Sequence, residues 1–210
     1  MGRWILYALL AAAVCIALFA RFYDVLPGDE PLQEWLQGLR HPVVTGYMEA
    51  VSFFGRAWLI IGLAGIVMLG LFAAGRRRDG LAATGVMAIL FLSPILKLLV
   101  GRPRPSADLS VVADSLSNSS FPSGHAYQSM VLFAFVILLL SILVRTKWIR
   151  WSAQGFLIVL ILAIGVSRVY LNAHWPSDVI GAYIIGGFFL ALLYRRYRSA
   201  NLAANDSRAG

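Results

Sequence analysis

The chain has 210 residues, of which 60% are hydrophobic and 13% are charged. This composition excludes an ordinary soluble domain, and the length fits one compact membrane domain over residues 1–200 with a polar cytoplasmic tail over residues 201–210. The net charge of +8 would suggest nucleic acid as the partner of a soluble protein. Here the basic residues flank apolar runs, so we expect no nucleic-acid partner. The single cysteine, Cys15, excludes an intrachain disulfide and a cysteine-based metal site.

Six apolar runs of spanning length predict an all-α, polytopic membrane protein with six transmembrane helices. The runs cover residues 4–20, 57–74, 81–100, 126–144, 151–166 and 179–194. The first run could be a signal peptide, but we favour an uncleaved transmembrane helix. Pro94 predicts a kink in the third run, and the pair Ala182 and Gly186 allows close helix packing in the sixth.

Between the first and second runs, two short patterns of apolar residues have helical spacing. They consist of Leu32, Trp35, Leu36 and Leu39 and, beyond Pro42, of Val44, Tyr47, Met48 and Val51. Neither pattern is long enough to span a membrane, so we expect two short helices that lie at the membrane interface. We expect them to pack against the bundle rather than to take part in chemistry, although they could also shape an entrance for lipid.

The basic residues also predict the orientation of the bundle. Eleven of the eighteen fall in segments on the side of the two termini, and seven fall on the other side. The positive-inside rule therefore predicts a plasma-membrane (inner-membrane) protein with both termini in the cytoplasm. The long loop 101–121 and the segment 168–178 would then share the outer face, towards the periplasm or the cell exterior.

One segment between two apolar runs combines a guanidinium, an imidazole and a carboxylate. It is Ser167-Arg168-Val169-Tyr170-Leu171-Asn172-Ala173-His174-Trp175-Pro176-Ser177-Asp178. Pro176 and Ser177 are typical of the first positions of a helix, which would place Asp178 in its first turn. His174 precedes Asp178 by four residues, so the carboxylate could hold one ring nitrogen and leave the other for nucleophilic attack. Alternatively, Asp178 only caps the helix, while Arg168 and His174 lie at the membrane surface.

Two further groups of polar residues flank the long loop. Lys97 is followed by Arg104-Pro105, and Phe121-Pro122-Ser123-Gly124-His125 precedes the fourth apolar run. A Pro-Ser-Gly turn that enters a helix leaves backbone N–H groups available to an anion, and His125 could deliver a proton beside it. Each group also has a structural explanation, since Lys97 could snorkel and the turn could be an ordinary cap. Basic side chains near the hydrocarbon are nevertheless costly without an anionic partner.

Taken together, the three groups resemble the motifs of the type 2 phosphatidic acid phosphatase superfamily. The motifs are Lys-x6-Arg-Pro at residues 97–105, Pro-Ser-Gly-His at 122–125 and Ser-Arg-x5-His-x3-Asp at 167–178, and all three match without a gap. The six apolar runs suit the membrane branch of this family. The length of the chain and its interfacial helices look most like bacterial phosphatidylglycerophosphatase B-type lipid phosphatases.

The resemblance implies a role for each matched residue. His174 would be the nucleophile that forms a phosphohistidine, Asp178 would orient it, and His125 would protonate the leaving group. The phosphate would be bound by Lys97, Arg104, Ser123, Gly124 and Arg168. A cage of this kind can take the place of Mg²⁺ in phosphoryl transfer, so we expect neither a metal nor a cofactor.

Several questions stay open at this level. The substrate could be undecaprenyl diphosphate, phosphatidylglycerophosphate, phosphatidic acid or lysophosphatidic acid, and the protein would also contact membrane lipids. The same phosphohistidine could serve a lipid phosphotransferase, and the same cage could serve a lipid-binding or transport bundle without turnover. Arg102 and His41 lie outside the matched positions. Arg102 could add to the local positive potential or bind a lipid headgroup, or its role could be purely structural, while we interpret His41 as an interfacial residue. Asp108 and Asp114 receive no role. The sequence does not fix the oligomeric state.

Overall fold

The computed structural model describes residues 3–105 and 119–209, with side chains up to Tyr197 in the last helix. Asp108 and Asp114 lie outside the described residues. Within the described part, the regular structure consists of nine α-helices. They are α1 (Arg3–Phe22), α2 (Asp29–Gly38), α3 (Pro42–Phe53), α4 (Ala57–Ala73), α5 (Arg77–Leu90), α6 (Ser93–Val100), α7 (Gly124–Leu143), α8 (Lys147–Tyr170) and α9 (Pro176–Ala209).

The helices agree with the predicted all-α membrane fold. Five segments of the described chain are long and apolar enough to cross a bilayer: α1, α5 with α6, α7, α8 and α9 up to Tyr197. A sixth span results if α3 and α4, which meet at a bend of 42°, are counted together. Because α4 alone has 17 residues, about 25 Å of helix, it reaches only the lower limit of spanning length. The backbone of α9 continues through the predicted tail as far as Ala209.

The third span is interrupted near the proline that predicts a kink. α5 ends at Leu90 and α6 begins at Ser93, with Pro94 in the first turn of α6, where its missing N–H breaks no helical hydrogen bond. α6 in turn ends at Val100 and is capped by Gly101, whose φ of 67° lies in the left-handed region and whose N–H donates to the carbonyl of Lys97. Arg102, directly after this turn, then contacts the start of α2 and of α9.

α2 differs from a typical helix of a soluble protein because polar residues lie on its buried face and large apolar residues are exposed. Its buried face carries Asp29, Gln33 and Leu36, whereas Leu32 and Trp35 are exposed. The exposed apolar side chains face outward, as expected for a helix at a membrane interface. The predicted helix is therefore present, and the side that faces the rest of the protein is mixed, with the polar Asp29 and Gln33 beside the apolar Leu36.

The polar side of α2 and the start of α3 rest on the C-terminal end of α8. The Gln37 Nε2 donates to the carbonyls of Val169 and Tyr170, at 3.1 Å and 3.0 Å. The Tyr170 hydroxyl lies 3.1 Å from the Thr45 hydroxyl and accepts from the His41 N–H at 3.3 Å. Carbonyls that end a helix have no partner within it, so α2 supplies donors that would otherwise come from water.

The small residues of α9 allow close approach of its neighbours, as the sequence predicts. Ala182 is completely buried, and a Cβ at Gly186 would lie 3.2 Å from the Val131 side chain of α7. The contact with α8 is closer, because a Cβ at Gly165 would lie 2.0 Å from the Tyr183 hydroxyl oxygen and 2.6 Å from Val179. That hydroxyl donates to the Ile161 carbonyl at 2.7 Å.

We therefore predict that Gly165→Ala destabilises the protein. The new methyl group would displace the Tyr183 hydroxyl from its acceptor, and overpacking of this kind typically costs about 1–3 kcal/mol. Gly155→Ala is the matched control, since it lies on the same helix with nothing within 4 Å of the new Cβ. The apparent unfolding midpoint in detergent should fall for Gly165→Ala and stay level or rise for Gly155→Ala. Equal midpoints for the two variants would contradict the packing described for α8 and α9.

Candidate active site

The three sequence motifs meet at one end of the bundle. The Ser123 N–H donates to the carbonyl of Asp178 at 3.2 Å, which joins the second motif to the third. Arg104 of the first motif donates from Nη1 to the carbonyl of Ala173, also at 3.2 Å. The Ser120 hydroxyl donates to the carbonyl of Pro103 at 2.9 Å, so the two ends of the long loop are joined as well. Segments that are distant in sequence thus form one site.

His174 and Asp178 lie at the centre of this site, and neither side chain is exposed to solvent. The His174 Nδ1 lies 3.6 Å from the Asp178 Oδ2, and the same carboxylate oxygen accepts from the Trp175 N–H at 2.9 Å. Asp178 is in the first turn of α9, where the sequence places it and where the helix dipole favours a carboxylate. Contacts between catalytic groups are often longer without substrate, so this separation suits a base and its orienting group.

A tight turn between α8 and α9 brings Arg168 and His174 to the same end of the bundle. Asn172 has a φ of 58°, in the left-handed region that asparagine tolerates better than most residues, and the Ala173 N–H donates to the carbonyl of Arg168 at 3.0 Å. Gln33 of α2 donates to the Asn172 side chain. The turn is therefore fixed both by its own backbone and by α2.

Arg168 is completely buried in the last turn of α8, where the helix dipole favours a cation. Its Nη1 donates to the hydroxyl of Ser52 in α3 at 2.8 Å. Ser52 is buried and lies outside the three motifs. Sequence spacing gives no sign of this contact, because the two residues are 116 positions apart.

Ser123 combines complete burial with a hydroxyl that has no hydrogen-bond partner among the described residues. It is the N-cap residue of α7, yet its side chain makes no capping hydrogen bond. A serine at this position usually accepts from the N–H groups of the first turn. Here both the hydroxyl and the start of the helix are available to an anion, as the Pro-Ser-Gly turn predicts.

Lys97 and His125 are close to the same turn. A Cβ at Gly124 would lie 3.8 Å from the Lys97 Cε, so the absence of a side chain leaves room between the lysine and the turn. Gly55, which follows α3, approaches His125 so closely that a Cβ there would lie 3.0 Å from the histidine Cβ. Lys97 and His125 thus lie close to the start of α7, where Ser123 and Gly124 are.

Arg102, whose role the sequence left open, is part of the site. It is 1% exposed, and its guanidinium forms ion pairs of 2.6 Å with both Asp178 and Asp29. Asp29 also accepts from the N–H and the hydroxyl of Ser177, at 2.9 Å and 2.7 Å. α2 therefore supplies a carboxylate that caps the start of α9, a specific form of the packing expected of this helix. Arg102 had no visible partner in the sequence, since Asp29 lies 73 residues away.

The balance of charge in this group favours an anion. Lys97, Arg102, Arg104 and Arg168 bring four positive charges, whereas Asp29 and Asp178 bring two negative charges. Arg102 and Arg168 are buried, whereas Lys97 and Arg104 are half-buried. Among the described residues of this group, basic side chains therefore outnumber carboxylates, which favours an anionic ligand over a neutral one.

The third histidine lies apart from these groups. His41 is exposed, and it caps α3 by accepting from the Val43 N–H at 3.3 Å. Within residues 3–105 and 119–209, no three His, Cys, Asp or Glu side chains are grouped so that they could hold a metal ion.

Comparison with known proteins places this geometry in a family. The PAP2 superfamily pattern matches residues 79–201. Phosphatidylglycerophosphatase B of Bacillus subtilis is 27% identical over 195 residues, which are 89% of this chain and 88% of that protein. Decaprenylphosphoryl-5-phosphoribose phosphatase of Mycobacterium tuberculosis is 30% identical over 150 residues, which are 69% and 76% of the two chains.

The fold agrees with a solved structure of the same kind. The crystal structure of a transmembrane PAP2-type phosphatidylglycerolphosphate phosphatase from Bacillus subtilis superposes with a TM-score of 0.79 at 23% identity. The match covers 92% of this chain and 96% of that one. The resemblance found in the motifs is confirmed: this chain is a multi-pass membrane protein that belongs to the PAP2 superfamily.

Proposed function

We propose that this protein hydrolyses a phosphomonoester or diphosphate of a lipid, without a metal ion, through a phosphohistidine on His174. The observation that carries the proposal is the buried pair of His174 and Asp178 beside the available hydroxyl of Ser123. An imidazole held by a carboxylate is an activated nucleophile, and a helix start with a buried hydroxyl is an anion site. The site therefore combines a nucleophile with a place for the phosphorus it attacks.

The reaction proceeds in two steps. The His174 Nε2, which faces away from Asp178, attacks phosphorus and forms a P–N bond while the bond to the lipid oxygen breaks. His125 gives its proton to that oxygen, and Asp178 stabilises the imidazolium. Water then attacks the phosphohistidine and releases inorganic phosphate, with His125 now acting as the base.

The basic cage supplies the stabilisation of the transition state. Lys97, Arg104 and Arg168 surround the equatorial oxygens of the phosphoryl group, and the guanidinium forks match the spacing of those oxygens. The Ser123 hydroxyl and the Gly124 N–H complete the cage. Preorganised donors of this kind act strongly in a site closed to water, which is why positive side chains can replace Mg²⁺ here.

The substrate is a phosphorylated lipid that reaches the site from the membrane. The relatives are named for phosphatidylglycerophosphate and for decaprenylphosphoryl-5-phosphoribose, which share a lipid with a terminal phosphate. Undecaprenyl diphosphate, phosphatidylglycerophosphate and phosphatidic acid are the candidates. Turnover of the three lipids, measured side by side as phosphate release from purified protein, identifies the preferred one.

We also propose that the site faces the periplasm or the cell exterior and that both termini are cytoplasmic. The helix ends opposite the site carry the basic clusters Arg76 to Arg78 and Arg145 to Arg150, with Arg195 and Arg196 on α9. This distribution supports the orientation through the positive-inside rule. The enzyme would then act on lipids of the outer leaflet.

His174→Ala should abolish turnover, because no other group takes the place of the nucleophile. Asp178→Asn should lower kcat by about 10²–10⁴-fold with a smaller change in KM, since an amide cannot favour the reactive tautomer or stabilise the imidazolium. Phosphate release from a phosphorylated lipid measures both effects. His41→Ala is the matched control, because this exposed histidine caps α3 away from the site. Full activity in a folded His174→Ala variant would overturn the mechanism.

EDTA should leave the activity unchanged, because the cage of Lys97, Arg104 and Arg168 needs no metal. Orthovanadate should inhibit, since it adopts the five-coordinate geometry of phosphorus under attack. Both are measured as phosphate release over a range of inhibitor concentrations. Loss of activity in EDTA, with recovery on addition of Mg²⁺, would show that the cage is incomplete without a cation.

The proposed orientation can be measured with single cysteines in a Cys15→Ala background. Glu34→Cys is exposed on α2 at the site end, and Thr146→Cys is exposed between α7 and α8 at the opposite end. A membrane-impermeant maleimide should label residue 34 in intact spheroplasts and residue 146 only after lysis. The reverse pattern would put the site in the cytoplasm and exclude outer-leaflet lipids as its substrates.

A further inference from the structure

We propose that Arg102 is a positioning residue that fixes the carboxylate of Asp178 and, through it, the ring of His174. The proposal rests on the function proposed above, in which Asp178 orients the nucleophile. It adds a residue outside the three motifs to the machinery of the site, together with Asp29, the carboxylate that shares its charge.

All three nitrogens of the Arg102 guanidinium have protein acceptors. The Nη1 donates to the Asp178 Oδ1 at 2.6 Å and to the Ser177 hydroxyl at 2.7 Å, and the Nη2 donates to the Asp29 Oδ2 at 2.6 Å. The Nε donates to the carbonyl of Asp24 at 3.0 Å. The side chain has no exposed surface and its fork points at protein atoms. Arg102 therefore acts through its neighbours rather than on the phosphate.

The carboxylate of Asp178 is held at both oxygens. Oδ1 receives the charged hydrogen bond from Arg102, and Oδ2 receives the N–H of Trp175. Oδ2 is also the oxygen nearest to the His174 Nδ1, at 3.6 Å. If the bond to Oδ1 were lost, the carboxylate could rotate about its last torsion and turn Oδ2 away from the imidazole. Arg102 and the Trp175 N–H together thus fix the plane of the carboxylate that faces His174.

The shape of the guanidinium matters as well as its charge. Arg102 joins Asp178 and Ser177 of α9 to Asp29 of α2 and to the chain after α1, so four acceptors are held by one planar group. Lysine is a point charge on a flexible chain and cannot reproduce such a fork. Arg102→Lys therefore keeps the positive charge between the two carboxylates and removes the geometry. Arg102→Met would leave both carboxylates buried without their cation and could fail to fold, so it is not the test.

The test is a double-mutant cycle of Arg102→Lys and Asp178→Asn, with kcat and KM measured for release of phosphate from phosphatidic acid by purified protein. Arg102→Lys should lower kcat by about 10–100-fold, the usual effect of losing a group that orients a reactive side chain, and change KM by less than about threefold. In the Asp178→Asn background the same change should lower kcat by less than about threefold, since the group through which Arg102 acts is already removed. If Arg102 were needed only for folding, the losses of kcat in the two single variants would multiply in the double variant.

A second variant and a matched control complete the design. Asp29→Asn removes one anchor of Arg102 without touching Asp178, and it should lower kcat in the same direction as Arg102→Lys but by less. Arg76→Lys is the control, because Arg76 pairs with Asp79 at 2.6 Å at the opposite end of the bundle. It should preserve kcat. The unfolding midpoint of each variant in detergent shows whether a loss of kcat comes with loss of the fold.

The outcomes separate this proposal from the proposed function. Three results would overturn the positioning role. They are losses of kcat that multiply in the double variant, an unchanged kcat in Arg102→Lys, and an increase in KM as large as the loss of kcat. His174→Ala is measured in the same series. If it is inactive while the cycle is multiplicative, the phosphohistidine mechanism stands and only the role of Arg102 fails. If His174→Ala is active, the proposed function fails, and the positioning role fails with it.

Discussion

The structure depends on the high cost of an unpaired charge at the end of an apolar bundle. Arg102, Asp29 and Asp178 are all buried, and Arg102 forms an ion pair of 2.6 Å with each of the two carboxylates, which offsets the cost of burying all three charges. These ion pairs join the chain after α6, the start of α2 and the start of α9. The fold around the site is consequently determined by electrostatics, whereas the spans below it are determined by apolar packing and by small residues such as Gly165 and Gly186.

The proposed catalytic carboxylate has no exposed surface, so the groups around it take the place of solvent. Asp178 is surrounded by a guanidinium, a backbone N–H and the dipole of its own helix, and all three favour a negative charge. In the proposed function, a bound phosphate would bring further negative charge to the basic side chains at this end of the bundle.

The parts of the site that could be predicted are those that depend on short sequence distances. The four-residue spacing of His174 and Asp178, the helix start at Pro176 and the cap at Ser123 follow from local rules, and the six apolar runs give the spans. The contacts of Arg102 with Asp29 and of Arg168 with Ser52 connect residues 73 and 116 positions apart, and no local pattern encodes such a pairing. The expected packing role of α2 left out its polar residues for a related reason. Its apolar spacing predicted the helix, but its polar residues became informative only once their partners on α8 and α9 were known.

The exposed apolar residues of α2 make the surrounding lipid or detergent a contributor to the stability of this part of the protein. Leu32 and Trp35 project outward, while Gln33, Gln37 and Asp29 hold the opposite side against the site. The free energy that holds α2 against the bundle therefore includes the free energy of transferring its outer face from water into lipid or detergent. A change in headgroup, chain length or lateral pressure alters that transfer energy, and the change passes through Asp29 to the start of α9. The stability of the site should therefore depend on the composition of the micelle or bilayer as well as on the buffer.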